Sequence, residues 1–418
     1  MTYSSIRRVS VPTAYRVSGD ALASWARPSL IAISRQLYRD SVIYRGVVDR
    51  IAEAIGCGWT LQAREPDADA LEDAMRGWAS ACGAAGESLD DVARVLAREW
   101  ILTGEAIAAW TTLGVQVVES EMVDKVERDA GGGVTAITVA GYARGETRRV
   151  PADALAWLID ADQPSARRGI PLLQAAFPVI QHVQDVLDSE ARAWRLQSKI
   201  VATVLSSDAG APLGDVDSED IEVLEDDISM VWQARPGDSL SIVDRAIPGR
   251  SFPDGLRMYL RVIGQGIGLP LEVVLLDWTQ SNFSQSRAAL AAANAWFGRR
   301  RARFARVLQR IASWGIPARW DAVAPALPWA DPQAEAETAA ARLDRGLSAY
   351  SDEIRRLGSD PEETRAHVAR DIERAIEAAR EIEARTGVSV PWERFAGLAP
   401  GKTELAARAM SRVAEETT

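Results

Sequence analysis

The chain is 418 residues and 45.3 kDa, room for two or three domains with separate cores, and its 47% hydrophobic and 26% charged residues are ordinary for a soluble protein. A net charge of −11 and a pI near 5.0 argue against a protein that coats nucleic acid tightly. Cys57 and Cys82 are too few for a disulfide framework or a structural zinc site. With only His182 and His367 and no H-E-x-x-H, histidine-based metal or triad chemistry is close to excluded. No apolar run reaches the roughly 18 residues of a membrane span, and "MTYSSIRRVSVPTAYRVSGD" lacks the apolar stretch of a cleaved signal. Lysine occurs only at positions 125, 199 and 402, so nearly all positive charge is arginine, a bias that a GC-rich genome also produces.

Residues 1–40, with Pro12 and Pro28, read as partly extended and irregular. "SVIYRGVVDRIAEAIGCGWTLQAR" steps its apolar Val47, Ile51 and Ile55 by four, predicting a helix closed by Gly56 and Gly58 and a short strand at Trp59–Gln62. "SLDDVARVLAREWILTGEAIAAW" repeats the plan, with Ser88 as cap, Asp90 and Asp91 at the positive helix start, Val92, Leu96 and Ile101 inward, and a break at Gly104. Val115 to Val150 alternates as β structure around a hairpin turn at Gly131–Gly133. Ile180, Val183, Leu187, Ala191 and Trp194 then mark an amphipathic helix of about 20 residues. Residues 201–250 read as an insert, acidic and loop-like at first, then the strands "ISMVWQA" and "SLSIVD". A second helix starts at Pro253, turns Leu256, Leu260, Ile263 and Ile267 inward, and stops at Gly268 and Pro270.

Asp277 to Leu290, "DWTQSNFSQSRAAL", is a neutral polar loop tipped by Trp278 and Phe283 that breaks into an alanine-rich helix. Leu290, Phe297, Phe304 and Ile311 recur every seven residues along that helix, a buried seam running to Trp314. After "AVAPALPWADP" the chain is strongly helical. Asp360, Pro361 and Glu363 form a capping arrangement, and Val368, Ile372, Ala375, Ala379 and Ile382 make a narrow stripe up to Gly387. The last 25 or so residues are expected to be loosely ordered.

Motifs that could carry chemistry each have a plainer explanation. "GLAPGKT" (Gly397–Thr403) is one residue short of a phosphate loop and follows no strand, and "GQGIGLP" (Gly264–Pro270) ends a helix where a dinucleotide fingerprint would open one. The arginines of "GRRRARFAR" (Gly298–Arg306) fan over the outer faces of their helix, favouring a solvated or inter-subunit ion-pair surface over DNA contact. The "LEDD" carboxylates (Leu224–Asp227) have no second cluster beside them for two-metal nuclease work. No catalytic residue, metal site or cofactor is expected, and a helical hairpin with an insert at its tip and a polar loop at its base points to architecture.

An ordered set of segments over most of residues 41–365 resembles the lambda-type portal proteins of tailed bacteriophages. They are "YRGVVDRIAEAIGCG", "LTGEAIAAW", "VQVVESEMVD", "RGIPLLQAAF", "IGLPLEVVLLDWTQSNFSQSRAALAAANAWFGRRR" and "LPWADPQAEAETAAARLDRGLSAYSDEIRRLGSDPEE". The most specific is Asn282-Phe283-Ser284-x-Ser286-Arg287-Ala288, similar to the family's Asn-Tyr-Ser-Ser-Ala-Arg-Ala, with Phe283 for tyrosine and Gln285-Ser286 for Ser-Ala. The resemblance implies an α+β portal fold assembled as a ring. Its parts would be a mixed wing over 1–169, a stem from 170–200 and 251–270 with a clip inserted at 201–250, a tunnel loop and wing helix over 271–330, a helical crown over 331–390, and a tail over 391–418.

It further implies a structural, non-enzymatic protein of the virion, assembled in the host bacterial cytoplasm. Such a protein forms the channel at one capsid vertex through which double-stranded DNA is packaged and ejected. The implied partners are further copies of the chain (twelve in a ring), passing double-stranded DNA, the terminase large subunit, the major capsid or scaffolding protein and a tail adaptor, with no membrane. Trp278, Thr279, Gln280, Ser281, Asn282, Phe283 and Gln285 are the implied channel-lining residues. Phe297, Arg299, Arg300 and Arg303 are candidates for contacts between subunits. The competing expectations are another ring-forming connector or scaffold, and a packaging ATPase or nuclease subunit, which the missing phosphate loop and paired carboxylates disfavour.

Overall fold

The computed structural model describes residues 19–65, 68–141, 146–161, 166–205, 230–234, 252–279, 281–326, 332–388 and 390–392. In chain order these form α1 (Gly19–Asp40), α2 (Val42–Gly56), β1 (Thr60–Ala63), α3 (Ala68–Ala79), α4 (Leu89–Thr103), β2 (Glu105–Thr111), β3 (Gly114–Val117), β4 (Val123–Arg128), β5 (Val134–Ala140), β6 (Thr147–Pro151) and β7 (Leu155–Ile159). Then come α5 (Phe177–Lys199), β8 (Ile200–Leu205), β9 (Met230–Ala234), α6 (Phe252–Ile267), α7 (Leu271–Leu275), α8 (Phe283–Gly315), β10 (Trp320–Val323), α9 (Pro332–Asp344), α10 (Tyr350–Arg356) and α11 (Pro361–Thr386). Two compact units result, one of residues 1–56 and 82–307, the other of 57–81 and 308–418.

The first unit is organised around α2 and α4. The inward residues predicted for both helices are buried: Val47, Ile51 and Ile55 on α2, and Val92, Leu96 and Ile101 on α4. Gly56 does more than close α2, because a Cβ there would stand 2.8 Å from the carbonyl oxygen of Ala93. Its bare backbone lets α2 cross α4 closely. Ser88 caps α4 by accepting from the Asp91 amide, and Gly104 ends it in the left-handed conformation with φ 79°. Beyond Gly104 the chain enters two antiparallel sheets, ordered β3-β2-β7 and β4-β5-β6. Ile107, Val118, Val123, Ile137, Val139, Val150 and Leu155 interleave in one core between them. The predicted hairpin turn joins β4 to β5, where Asp129 Oδ1 accepts from the Gly133 amide at 2.7 Å.

Residues 19–40 are helical, correcting the expectation of an irregular start. Pro28 sits inside α1 and costs one intrahelical hydrogen bond. The helix survives because its inner face is anchored. Ile31, Ser34 and Leu37 are buried, and two arginines lock onto acidic residues of other elements. Arg35 grips Glu99 of α4 with two bonds of 2.9 and 2.8 Å and also pairs with Glu121. Arg27 reaches Glu105, whose side chain is fully buried, at 2.9 Å. The same carboxylate accepts from Arg168 Nε at 2.8 Å, from Arg168 Nη2 at 2.9 Å, from the Gly169 amide at 2.8 Å, and from Ser120. Burial pulls the Arg27 guanidinium below its ordinary value, opposed by the Glu105 charge. Burial pushes Glu121 up most strongly, but the Arg35 hydrogen bond and charge, with Arg27 adding to them, together leave it below the usual carboxylate range.

Further along, α5 and α6 pack on each other, with the buried apolar residues of α5 in its first half and those of α6 in its second. That polarity of burial sets them antiparallel. Leu260, Ile263 and Ile267 are buried as predicted, and Gly268 ends α6 with φ 82°. Strands β8 and β9 pair in parallel; β9 falls on the predicted "ISMVWQA", while "SLSIVD" and "LEDD" lie outside the described residues. In the second unit, β1 pairs antiparallel with β10, a strand with no signal in the sequence, and Arg64 bridges to Asp321 across them. Asp360 caps α11 by accepting from the amides of Glu362 and Glu363, with Pro361 in the first turn and Gly387 closing the helix as predicted. Of the predicted α11 stripe only Ala375 and Ala379 are buried, and Val368 is exposed. Arg342 holds Glu353 with two bonds of 3.0 Å each, and Arg356 adds a third. "GLAPGKT" and the C-terminal tail lie outside the described residues.

Two outcomes are expected. Glu105→Gln leaves Arg27 and Arg168 without their shared counter-charge and lowers unfolding free energy by about 3 kcal/mol or more, measured by denaturant titration. The exposed pair Arg149–Glu127 serves as the control, and Glu127→Gln leaves the midpoint nearly unchanged. Hydrogen bonds from Arg342 hold the Glu353 carboxyl down at about 2, against an ordinary 4.5. A depressed carboxyl stabilises fully above its unfolded value and loses that contribution as the pH falls from about 4.5 toward 2. An acid titration by circular dichroism therefore shows a helix-loss step in this window that is absent in Glu353→Gln.

Candidate functional site

The segment between α6 and α8 is built by short-range satisfaction of its own polar groups. After the five residues of α7, Leu276 adopts φ 56°, the only non-glycine residue with positive φ among the described residues. This left-handed step reverses the chain at some steric cost, and the next residue consolidates it. Asp277 Oδ1 accepts from the Thr279 amide at 3.1 Å and from Thr279 Oγ1 at 2.6 Å. Those bonds hold the Asp277 carboxyl below its usual range, with Arg257 of α6 4.0 Å away adding to the effect. The Trp278 carbonyl then accepts from the Ser281 amide at 3.1 Å.

At Asn282 the polar run becomes a helix start. Asn282 Oδ1 accepts from the Gln285 amide at 2.9 Å, and Gln285 Oε1 accepts from the Asn282 amide at 3.2 Å. This is a reciprocal capping box with Asn and Gln in the Ser/Thr and Glu roles. α8 therefore begins at Phe283, so Phe283 and Gln285 belong to its first turn rather than to the loop. Phe283 is 60% exposed, counter to the burial usual for an aromatic. The structure thus brings Trp278, Thr279, Ser281, Asn282, Phe283 and Gln285 together, while Gln280 lies outside the described residues.

Both feet of the segment are clamped by residues that sequence reasoning missed. Arg50 of α2 donates to the carbonyls of Val273 and Val274, satisfying the open end of α7. Trp296 Nε1 of α8 donates to the Ile267 carbonyl at 3.1 Å, tying the end of α6 to α8. Neither has a local signal, because an arginine in mid-helix and a tryptophan on an apolar face are compatible with many partners.

The residues expected between subunits are mostly committed within the chain. Phe297 is buried and meets Trp296 edge-on with ring centroids 5.2 Å apart. Arg303 pairs with Asp160 at 2.7 Å, donates to the Ile159 carbonyl at 2.7 Å and lies over the Trp100 ring. Arg300 stacks 3.9 Å from the Trp296 ring centroid, and burial lowers its guanidinium from the ordinary value. At Arg300 and Arg303 the long arginine stems fold back over aromatic surface of their own chain. Arg299 stays exposed. The heptad seam is buried at Phe297, Phe304 and Ile311, while Leu290 is half-buried. Among the described residues no helix is long and apolar enough to cross a membrane, and no group of three or more His, Cys, Asp or Glu is placed to hold a metal ion.

A search of curated proteins returns no match. Among solved structures, a chain of the virion of a native gene transfer agent particle shares the fold at 15% identity and TM-score 0.50, covering 80% of this chain and 94% of that one. Chains from the neck of the empty particle computed with C6 symmetry (15%) and of the native particle computed with C12 symmetry (16%) both give TM-score 0.51 at the same coverage. At these identities the likeness establishes the fold. The family described as "Phage portal protein, lambda family" matches residues 7–301, the stretch that holds α1, both sheets, the α5–α6 pair, the clamped segment and most of α8. The chain belongs to the lambda family of phage portal proteins.

Proposed function

We propose that the chain forms a homo-oligomeric ring of twelve copies at one capsid vertex and conducts double-stranded DNA through its centre. The observation that carries this reading is the family match, which spans α5, α6 and the segment between α6 and α8 without a break. In this reading residues 1–169 are the wing, α5 and α6 the stem, residues 201–250 the clip on which the terminase motor and later a tail adaptor dock, and residues 331–390 the crown. Residues 278–285 line the constriction.

The chemistry of that segment suits a sliding contact. Each arginine set against a phosphate releases counterions and holds DNA, and a ring multiplies every such contact by the number of copies. From Trp278 to Ser286 the sequence carries no charge, and Asp277 is engaged by Thr279. With Asn282 and Gln285 bonded to each other and Thr279 to Asp277, few groups remain to grip a phosphate. Phe283 faces outward among exposed neutral neighbours, an apolar edge that makes weak contacts without regard to sequence.

The test places charge where the cap is not disturbed. Gln280→Arg with Ser284→Arg leaves ring formation intact by electron microscopy and lowers the DNA packaged per capsid, because the added charges bind phosphates around the whole ring. Wild-type packaging by this variant removes the segment from the channel. Asn282→Ala acts differently. It deletes the cap, lowers stability by about 1 kcal/mol and frays the first turn of α8, whereas Asn282→Asp retains the acceptor and most of that stability.

A further inference from the structure

The face of α6 turned away from the core is uncharged for about three turns. Gly255, Met258, Tyr259, Val262 and Gly266 fall on one side of the helix, with Met258 68% exposed and Tyr259 and Val262 also open. Gly255 and Gly266 lie eleven residues apart on that same face, and a Cβ built at either meets nothing within 4 Å. Glycine inside a helix is destabilising relative to alanine, and no described residue approaches closely enough to require it at either position. On α5 the stripe that begins with buried Ile180 and Val183 runs on into Leu187, Ala191 and Trp194, which the chain leaves uncovered; Trp194 is 51% exposed. In a chain with 26% charged residues, two uncovered apolar stripes on neighbouring helices are surfaces made to be covered.

We infer that the α6 stripe of one copy packs antiparallel on the α5 stripe of the next copy, with Trp194 seated over Gly255. This deepens, and rests on, the ring reading above. Closed rotational symmetry joins two different patches head to tail, so every copy must carry both halves of the contact. Rotation about the ring axis also preserves each helix's direction along it, so α5 of one copy runs opposite to α6 of its neighbour. The side-chain volumes then match in register. From Gly255 to Val262 is seven residues, and from Leu187 to Trp194 is seven residues. Setting Trp194 against Gly255 therefore brings Ala191 against Met258 and Leu187 against Val262. The large ring meets the bare backbone, the small side chain meets the long one, and two aliphatics face each other. The chain's own α5 does not make this contact, since its Trp194 is exposed and the space above its Gly255 is empty.

The pairing predicts effects of opposite sign on the subunit and on the ring. Gly255→Leu removes a mid-helix glycine and raises the melting temperature of the monomeric chain by about 2 °C, yet it fills the Trp194 seat and weakens ring assembly about tenfold or more. Trp194→Ala weakens assembly similarly with the monomer still folded. The double variant Gly255→Leu with Trp194→Ala assembles better than the product of the single losses allows, because the new leucine occupies the vacated volume. Gly77→Ala, an exposed mid-helix glycine of α3 with nothing nearby, is the control and changes stability without changing assembly. The measurement is analytical ultracentrifugation of the full chain across concentration, with circular dichroism confirming fold. Wild-type chain that forms no ring at any concentration overturns the ring reading. A wild-type ring that both single variants form equally well, or strictly additive losses in the double variant, overturns the Trp194–Gly255 contact and leaves the ring standing.

Discussion

One buried carboxylate organises the first unit. Glu105 stands where α4 gives way to β2, and it gathers Arg27 from α1, Arg168 and the Gly169 amide from the chain returning after β7, and Ser120 from the turn before β4. An ionised group so far from water persists only when every lone pair is used, and here the guanidinium forks and the amide use them. The backbone geometry is equally constrained. Gly104 and Gly169 press together so closely that a Cβ on either would fall inside van der Waals contact of the other strand. The Asp160 amide donates to the Gly104 carbonyl at 2.7 Å, which fixes the end of β7 at the same point. Helix, sheet and returning strand thus share one vertex, and α5 departs from it only a few residues later.

That vertex was not legible in the sequence. Glu105, Arg27 and Arg168 are scattered over 142 positions, and each resembles the many other charged residues of the chain. What could be read were features governed by neighbours along the chain: the Ser88 cap, the Gly104 stop, the Gly131–Gly133 hairpin turn, the Asp360 cap of α11, and the apolar faces of α2, α4 and α6. Pro28 misled because proline was weighed as a breaker, whereas the ion pairs of Arg27 and Arg35 hold α1 from outside the helix. β10 was missed because four residues offer no periodicity to detect, and only their pairing with β1 defines them.

The candidate site divides in the same way. Its position between two helices and its lack of charge were plain, and the ordered likeness to a family tied it to a role. The chemistry of its polar residues was not. Asn282 and Gln285 looked like free amides available to a passing ligand, yet they satisfy each other at the start of α8. The spacing Asn-x-x-Gln is itself a capping signal, carried by neighbours along the chain. Along α8 the spacing of the arginines gives no sign of the partners that Trp100, Trp296 and Asp160 supply to Arg300 and Arg303 within the chain.

The two clamps beside the loop also have a mechanical meaning. Arg50 pins the end of α7 to α2, while the Trp296–Ile267 bond and the Asn282–Gln285 box pin the other foot to α6 and α8. Between them run only the six residues 276–281, and a chain gives at most about 3.5 Å per residue when pulled straight. Bonds within the span, from Thr279 to Asp277 and from Ser281 to Trp278, hold it folded short of that length. Moving this span therefore strains the Arg50 bonds to α2 and the Arg257–Asp277 pair to α6 as well as its own turns.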